Sequence, residues 1–285
     1  MNPPPPCPLC PRRCPDRSLG LCGETDFTHA HVAKTMLHRW EEPCISGEKG
    51  TGAVFFAGCN LRCLFCQNHA ISQARPLPGE RVDAARLAEI FWSLAEQGAE
   101  NISLISPSHV LPVARDAMRL AKEQGFPLKF IWNSNGYELA QALQSLQGLV
   151  DFYLPDLKYE DDAVALAYSG ATAYFQHATQ AIEEMHRQAQ AYGAQVLIRH
   201  LVLPGGRRDS MRVLDWIAAN APGAKVSLMA QYTPMHRAAA GEFPALRRKL
   251  TGFEYDSVAQ YARSLGLQGY FQGRDAATEG YTPAF

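Results

Sequence analysis

The most informative absence in this chain is cysteine beyond residue 66. All eight cysteines lie at positions 7, 10, 14, 22, 44, 59, 63 and 66, and residues 67–285 contain none. A disulfide framework would be spread over the fold that it staples, so this clustering reads as metal ligation instead. Long apolar runs are missing too: no stretch approaches the roughly 20 residues of a membrane span. Nor is there an excess of charge of one sign. The formal net charge is −1, which leaves no electrostatic footprint for nucleic acid or an anionic membrane. Residues 1–6 are proline-rich and have no apolar signal-peptide core, so the expectation is a cytoplasmic protein whose thiols stay reduced. What remains is ordinary for a globular protein, 47% hydrophobic and 19% charged over 285 residues. That length suits one barrel-sized domain, or a domain with a small appendage.

Three segments follow from the patterning. Residues 1–25 are rich in Pro, Cys and Arg; residues 26–50 form a connector containing His38, Trp40, Glu41 and Glu42; residues 51–285 alternate short apolar runs with amphipathic stretches. The runs 53–56, 102–106, 128–132, 152–157, 195–203, 226–229 and 269–271 predict strands. Helices are predicted over 82–97, 110–124, 138–146, 173–192 and 210–220. The first of these places Leu87, Ile90, Phe91 and Leu94 at helical spacing. Strand–helix alternation of this kind predicts an α/β fold of parallel strands covered by helices, a full or partial β/α barrel of about six units. In such barrels the site lies at the C-terminal ends of the strands.

Directly after the first of these strands comes Cys59-x3-Cys63-x2-Cys66, with Phe65 before the last cysteine. Thiolates are the usual ligands of iron–sulfur clusters. Three of them hold three irons of a [4Fe–4S] cube and leave the fourth iron open. The alternatives are a zinc site, for which His69 is an available fourth ligand, and three buried apolar cysteines.

This triplet resembles the signature of the radical S-adenosylmethionine (SAM) superfamily. The wider chain is similar to the pyruvate formate-lyase activating enzyme-like family. The resemblance is carried by His38–Pro43 as His-Arg-Trp-Glu-Glu-Pro, by Phe55-Phe56-Ala57-Gly58-Cys59, by Asn135-Gly136-Tyr137-Glu138, by Asp156-Leu157-Lys158 and by Arg199-His200-Leu201. It implies a partial (β/α)6 TIM-like barrel in which the open iron is chelated by SAM. It also implies an electron donor such as flavodoxin or ferredoxin. The hydrogen donor it implies is a backbone glycine of a partner enzyme, a peptide side chain or a small metabolite.

The resemblance also singles out further residues. Relatives usually carry Gly-Gly-Glu after the second strand to meet the SAM amino group, where this chain has Ser106-Pro107-Ser108-His109. Ser106 or Ser108 is the substitute acceptor, unless the turn is merely structural; His109 is either a site residue or a helix-start histidine. The departure leaves open a second class of function, a metal-binding scaffold or redox protein that does not cleave SAM. Asn133 and Asn135 end the third strand and are expected at the SAM ribose or carboxylate, although Asn-Gly favours a turn on its own. Asp156 and Lys158, two apart on a strand, share a face. Arg199 and His200 point to opposite faces, with Arg199 the candidate for the SAM carboxylate or ribose; Gln231 is a weaker candidate.

Cys7, Cys10, Cys14 and Cys22 supply four thiols in a segment with little else to build a core. Four thiolates suit a structural zinc or a second iron–sulfur cluster. Cys44 reads as a small buried residue.

Overall fold

The structure, a computed structural model, describes residues 6–273. Most of the proline-rich N-terminal stretch and residues 274–285 therefore lie outside the described residues. In chain order the elements are β1 (Ala30–His38), α1 (Pro43–Ser46), β2 (Thr51–Phe56), α2 (His69–Ser72), β3 (Glu80–Val82), α3 (Ala84–Glu96), β4 (Asn101–Ile105), α4 (Leu111–Glu123) and β5 (Lys129–Ser134). They continue with α5 (Ala140–Leu143), β6 (Phe152–Pro155), α6 (Asp162–Ser169), α7 (Tyr174–Tyr192), β7 (Gln195–Leu201), α8 (Arg207–Asn220), β8 (Lys225–Met229), α9 (Gly252–Ser264) and β9 (Gly269–Phe271).

One sheet runs in the order β3-β1-β2-β4-β5-β6-β7-β8-β9. From β2 to β9 all neighbours are parallel, whereas β1 pairs antiparallel with both β2 and β3. The fold is thus the expected α/β partial barrel, with an antiparallel extension on one edge. Part of that extension, β1, falls in the stretch read from sequence as a connector, whereas β3 lies beyond it. Strand β1 interleaves Val32, Met36 and Leu37 with His31, Lys34 and Thr35, and its residues are mostly half-buried, so the apolar run that marks the parallel strands is missing.

Strands β2, β4 and β5 are buried on both faces, as parallel strands under a helical layer must be. On the outside, α3 begins at Asp83, whose carboxylate accepts the Arg86 N–H, and turns Leu87, Ile90, Phe91 and Leu94 inward. Phe91 meets Phe130 of β5 edge to face with ring centroids 5.2 Å apart. Each such buried side chain contributes about 1.5–3 kcal/mol of hydrophobic stabilisation.

Two features position the site. First, α1 closes the end of the barrel where the strands begin. Ile45 is buried against Ile131, Phe152, Leu154 and Leu197, and its carbonyl accepts from the Asn101 amide at 2.7 Å. Second, the β6–β7 pairing is interrupted. The strands pair at Phe152–Gln195 and Tyr153–Val196, lose their ladder at Leu154 and Pro155, and meet again in a bridge between Asp156 and Arg199. Proline has no N–H to give to a ladder. The interruption leaves the two charged residues face to face.

Candidate active site

A cavity of about 250 Å³ opens at the C-terminal ends of the parallel strands. Cys59, Cys63 and Cys66 line it together with Phe65, Ser106, Asn133, Asn135, Asp156, Lys158 and Arg199. All but one of the residues expected at the site from sequence share this space. The exception is Ser108, which is buried outside it, its hydroxyl beside the Glu138 carboxylate. The backbone turns away after Ser106 into a short 3-10 turn, Ser108–Val110, and carries Ser108 behind the strand end.

The cysteine loop leaves β2 through Gly58, at φ +82°, where a Cβ would lie 2.1 Å from the Cys22 carbonyl oxygen. Only glycine fits that approach. Polar groups surround the sulfurs: the Leu61 N–H lies 3.3 Å and the Asn135 amide 3.4 Å from Cys59, and the Ser169 hydroxyl donates to Cys63 at 3.0 Å. Ser72 lies 3.2 Å from Cys66. Burial pushes the Cys59 thiol up to about 12 and the Cys66 thiol up to about 11, in each case reinforced by Cys63. As isolated groups they stay protonated at neutral pH; a bound cationic centre is what makes thiolates of them. Among the described residues no three His, Cys, Asp or Glu side chains already converge on a single point. Thiolates on three different irons of a cube need no such convergence. The donor set, the N–H groups aimed at sulfur and the room beside them all fit a cluster with an open iron, held by Cys59, Cys63 and Cys66.

Opposite the thiols runs a ladder of charges. Asp156 holds the Lys158 ammonium on one side and accepts from the Arg199 guanidinium at 2.8 Å on the other. Arg199 also bonds the Asn133 side-chain oxygen at 2.6 Å and lies 3.3 Å from Glu41, which in turn accepts from the Asn133 amide at 3.1 Å. Burial alone would raise the Asp156 carboxyl, but Arg199 and Lys158 outweigh it and hold it below its ordinary value. Lys158 stays charged because Asp156 and Cys63 overcome its own desolvation. Glu41 goes the other way: burial dominates, Arg199 offsets it only in part, and the carboxyl is pushed up to about 7.

Glu41 is the residue that sequence reasoning missed as a site member. It stands in the quoted His38–Pro43 stretch, in the connection between β1 and α1, and its side chain lines the cavity. Tyr232 was missed likewise; its ring packs edge to face on Phe65, with centroids 5.7 Å apart. Gln231 lines the cavity, and its carbonyl oxygen accepts from Gln272 at 3.1 Å. His200 points outward from Arg199, as alternation requires, and donates from Nδ1 to the Leu157 carbonyl at 2.7 Å. His109 faces away from the cavity and donates from Nε2 to the Ala57 carbonyl at 2.8 Å; burial pushes its pKa down to about 4, so it is a neutral structural histidine. His69 stacks on His236, ring centroids 4.5 Å apart, rather than lining the thiol cavity. Cys7, Cys10, Cys14 and Cys22 line a second, separate void behind the cysteine loop. Cys44, expected to be buried, is exposed.

Comparison with known proteins agrees with this geometry. An uncharacterized protein of Methanocaldococcus jannaschii is 27% identical over 273 residues, covering 92% of this chain and 75% of its own length. Among solved structures, the radical SAM methyltransferase TsrM of Kitasatospora setae, with cobalamin and a [4Fe–4S] cluster bound, superposes on 66% of this chain with a TM-score of 0.51 at 17% identity. SuiB of Streptococcus suis with SAM bound superposes on 76% with a TM-score of 0.50 at 13% identity. This chain spans only 38% and 45% of those two proteins, so the likeness is one of fold. The profile of the radical SAM superfamily matches residues 53–217, from β2 into α8, and contains the cysteine loop and every member of the charge ladder except Glu41. With the thiol triplet lining the mouth of a partial parallel barrel, this chain belongs to the radical SAM superfamily.

Proposed function

We propose that this protein is an oxidoreductase that cleaves SAM reductively and uses the product to take a hydrogen atom from a polypeptide substrate. The superfamily uses a [4Fe–4S] cluster and SAM; when bound, they supply an electron and a sulfonium whose cleavage gives methionine and a 5′-deoxyadenosyl radical. The observation that carries the proposal is the convergence of the three cysteines, Lys158, Asp156 and Arg199 on one cavity. Lys158 is the cation for the SAM carboxylate, Asn135 and Ser106 offer neutral donors and acceptors to its polar groups, and Phe65 with Tyr232 forms an apolar wall. With Gly-Gly-Glu absent, Ser106 is the hydroxyl at that strand end that reaches the cavity. The similarity of Asp156-Leu157-Lys158 and Asn135-Gly136 to activating enzymes supports a backbone glycine of a glycyl-radical enzyme as the hydrogen donor.

A surface feature supports a small acidic flavodoxin- or ferredoxin-type protein as electron donor in the cytoplasm. Arg12, Arg62, Arg75 and Arg237 gather at the outer side of the cysteine loop, with Arg13 next to Arg12 in the chain; burial lowers the pKa of Arg62, and the charges of Arg75, Arg237 and Arg12 lower it further. None of the five forms an ion pair with a carboxylate among the described residues; Arg12, Arg62 and Arg75 bond backbone carbonyls instead. Elsewhere Arg81, Arg86, Arg187, Arg212 and Arg248 all pair with acids. A concentration of uncompensated positive charge steers an acidic partner. No described helix is long and apolar enough to cross a membrane.

The test is reconstitution of the full chain with iron and sulfide under anaerobic conditions, followed by reduction in the presence of SAM. Formation of 5′-deoxyadenosine is expected, and its loss in Cys63→Ala together with the cluster absorbance. A reconstituted protein that binds a cluster and never yields 5′-deoxyadenosine would establish the scaffold instead.

A further inference from the structure

The geometry points to a second metal site: Cys7, Cys10, Cys14 and Cys22 hold a single zinc ion that locks the N-terminal segment onto the back of the cysteine loop. The assignment does not depend on the chemistry at Cys59, Cys63 and Cys66.

The four thiols line one void, between residues that are otherwise backbone turns. The Cys7 N–H bonds the Cys14 carbonyl at 2.9 Å and closes this stretch into a loop. Within it the Arg13 N–H returns to the Cys10 carbonyl at 3.1 Å, with Arg13 at φ +41°. A non-glycine residue keeps that left-handed backbone only where its surroundings hold it. Before β1, regular structure in the described segment is limited to a three-residue 3-10 turn, Arg17–Leu19. Among its described side chains, the buried apolar ones are Leu9 and two of the cysteines themselves, Cys10 and Cys22. Such a segment cannot hold its shape by hydrophobic burial, and a tetrathiolate metal supplies what the missing core does not.

Size separates zinc from a second cluster. The void is about 10 Å³, against about 250 Å³ for the cavity at the other three thiols. About 10–15 Å³ admits one water-sized body, so the space suits one ion and not a cube of four irons and four sulfides. The four sulfurs ring the void without yet converging on a point; zinc would draw them to about 2.3 Å.

The site's role follows from what the segment touches. Ligand Cys22 packs its carbonyl against Gly58, the residue before Cys59. Arg12, between Cys10 and Cys14, bonds the Asn60 carbonyl and also Gly170 at 2.7 Å. Asn60 lies against Cys10 on one side, and on the other its side-chain oxygen accepts from the Asn135 amide at 2.7 Å, the same amide that reaches Cys59. Zinc at the four thiols therefore fixes both backbone neighbours of Cys59.

The experiment is metal analysis with zinc-edge X-ray absorption on the full chain. It is run on the wild type and on a Cys59→Ala/Cys63→Ala/Cys66→Ala variant, both purified anaerobically without chelators. About one zinc per chain in a four-sulfur shell is expected in both proteins. Cys10→Ser is expected to lose that zinc. Iron with sulfide in the triple variant would overturn the assignment in favour of a second cluster. A zinc shell containing nitrogen or oxygen, or wild type free of zinc, would overturn it outright. The wild-type spectrum decides even where a variant fails to fold.

Discussion

Gly136 and Gly193 have the same φ of +76° in very different surroundings, which allows one substitution to be weighed against its own control. At Gly193, the residue that ends α7, an added Cβ would meet nothing within 4 Å. At Gly136 it would sit 2.2 Å from the Asp156 carbonyl oxygen and 3.2 Å from the Tyr174 hydroxyl. Alanine in a left-handed conformation costs about 1 kcal/mol at either position. At Gly136 the Asp156 backbone must also retreat by about 1 Å to reach ordinary contact, and overpacking of that kind adds about 1–3 kcal/mol. That carbonyl is not free to move. The Tyr174 hydroxyl lies 3.0 Å from it and 2.9 Å from the Asn135 carbonyl, while accepting the Lys158 N–H at 3.0 Å. Gly193→Ala should therefore lower stability by about 1 kcal/mol and leave SAM affinity unchanged. Gly136→Ala should lower it by about 2–4 kcal/mol and weaken SAM binding, because Asp156, Lys158 and Asn135 shift together. Urea midpoints at constant m, with SAM titration calorimetry, measure both. Equal midpoint shifts in the two variants would refute the argument that Asp156 sets the identity of residue 136.

Lys158→Ala should keep the cluster absorbance and weaken SAM binding by about 10- to 100-fold, the worth of one hydrogen bond to a charged group; equilibrium dialysis measures it. Glu41 has a folded pKa near 7 against an ordinary 4.5, so the native state holds more protons across that window. Stability should fall as pH rises from about 4.5 to about 7, by up to about 3 kcal/mol, and level off above that. Glu41→Gln, neutral throughout, should flatten this slope in denaturation measured at several pH values, and an unchanged slope would place the proton elsewhere. Arg75→Glu with Arg237→Glu should slow SAM cleavage driven by an acidic flavodoxin while leaving the dithionite-driven rate unchanged, since both arginines are exposed and outside the cavity.

The parallel half of the fold was legible because strands buried on both faces read as apolar runs, and the predicted run at 53–56 ends where β2 ends. Boundaries moved where backbone chemistry intervened. The predicted strand 152–157 stops at Pro155, and the predicted helix 138–146 begins only at Ala140 and finishes as a 3-10 turn. The edge strands β1 and β3 carry too many polar residues to stand out. Helix α9 was passed over although Tyr255, Val258, Ala259 and Ala262 keep helical spacing and Thr251 with Glu254 forms a capping box. At the site, thiol spacing and the pairs at strand ends located the mouth. Glu41 escaped because its contacts with Asn133 and Arg199 span 92 and 158 residues of sequence. Ser108 misled because two serines two apart share a face only while the chain stays extended.

The confinement of every thiol to the first 66 residues has a practical side. Cys44 is the exposed one; Cys10 and Cys22 are buried and the other five half-buried. In the metal-loaded protein a thiol reagent therefore meets Cys44 first and alone. Each further equivalent consumed counts a sulfur released from a metal, so a simple colorimetric titration becomes an occupancy gauge for both centres. With no cysteine in residues 67–285, nothing in the rest of the barrel adds to the reading.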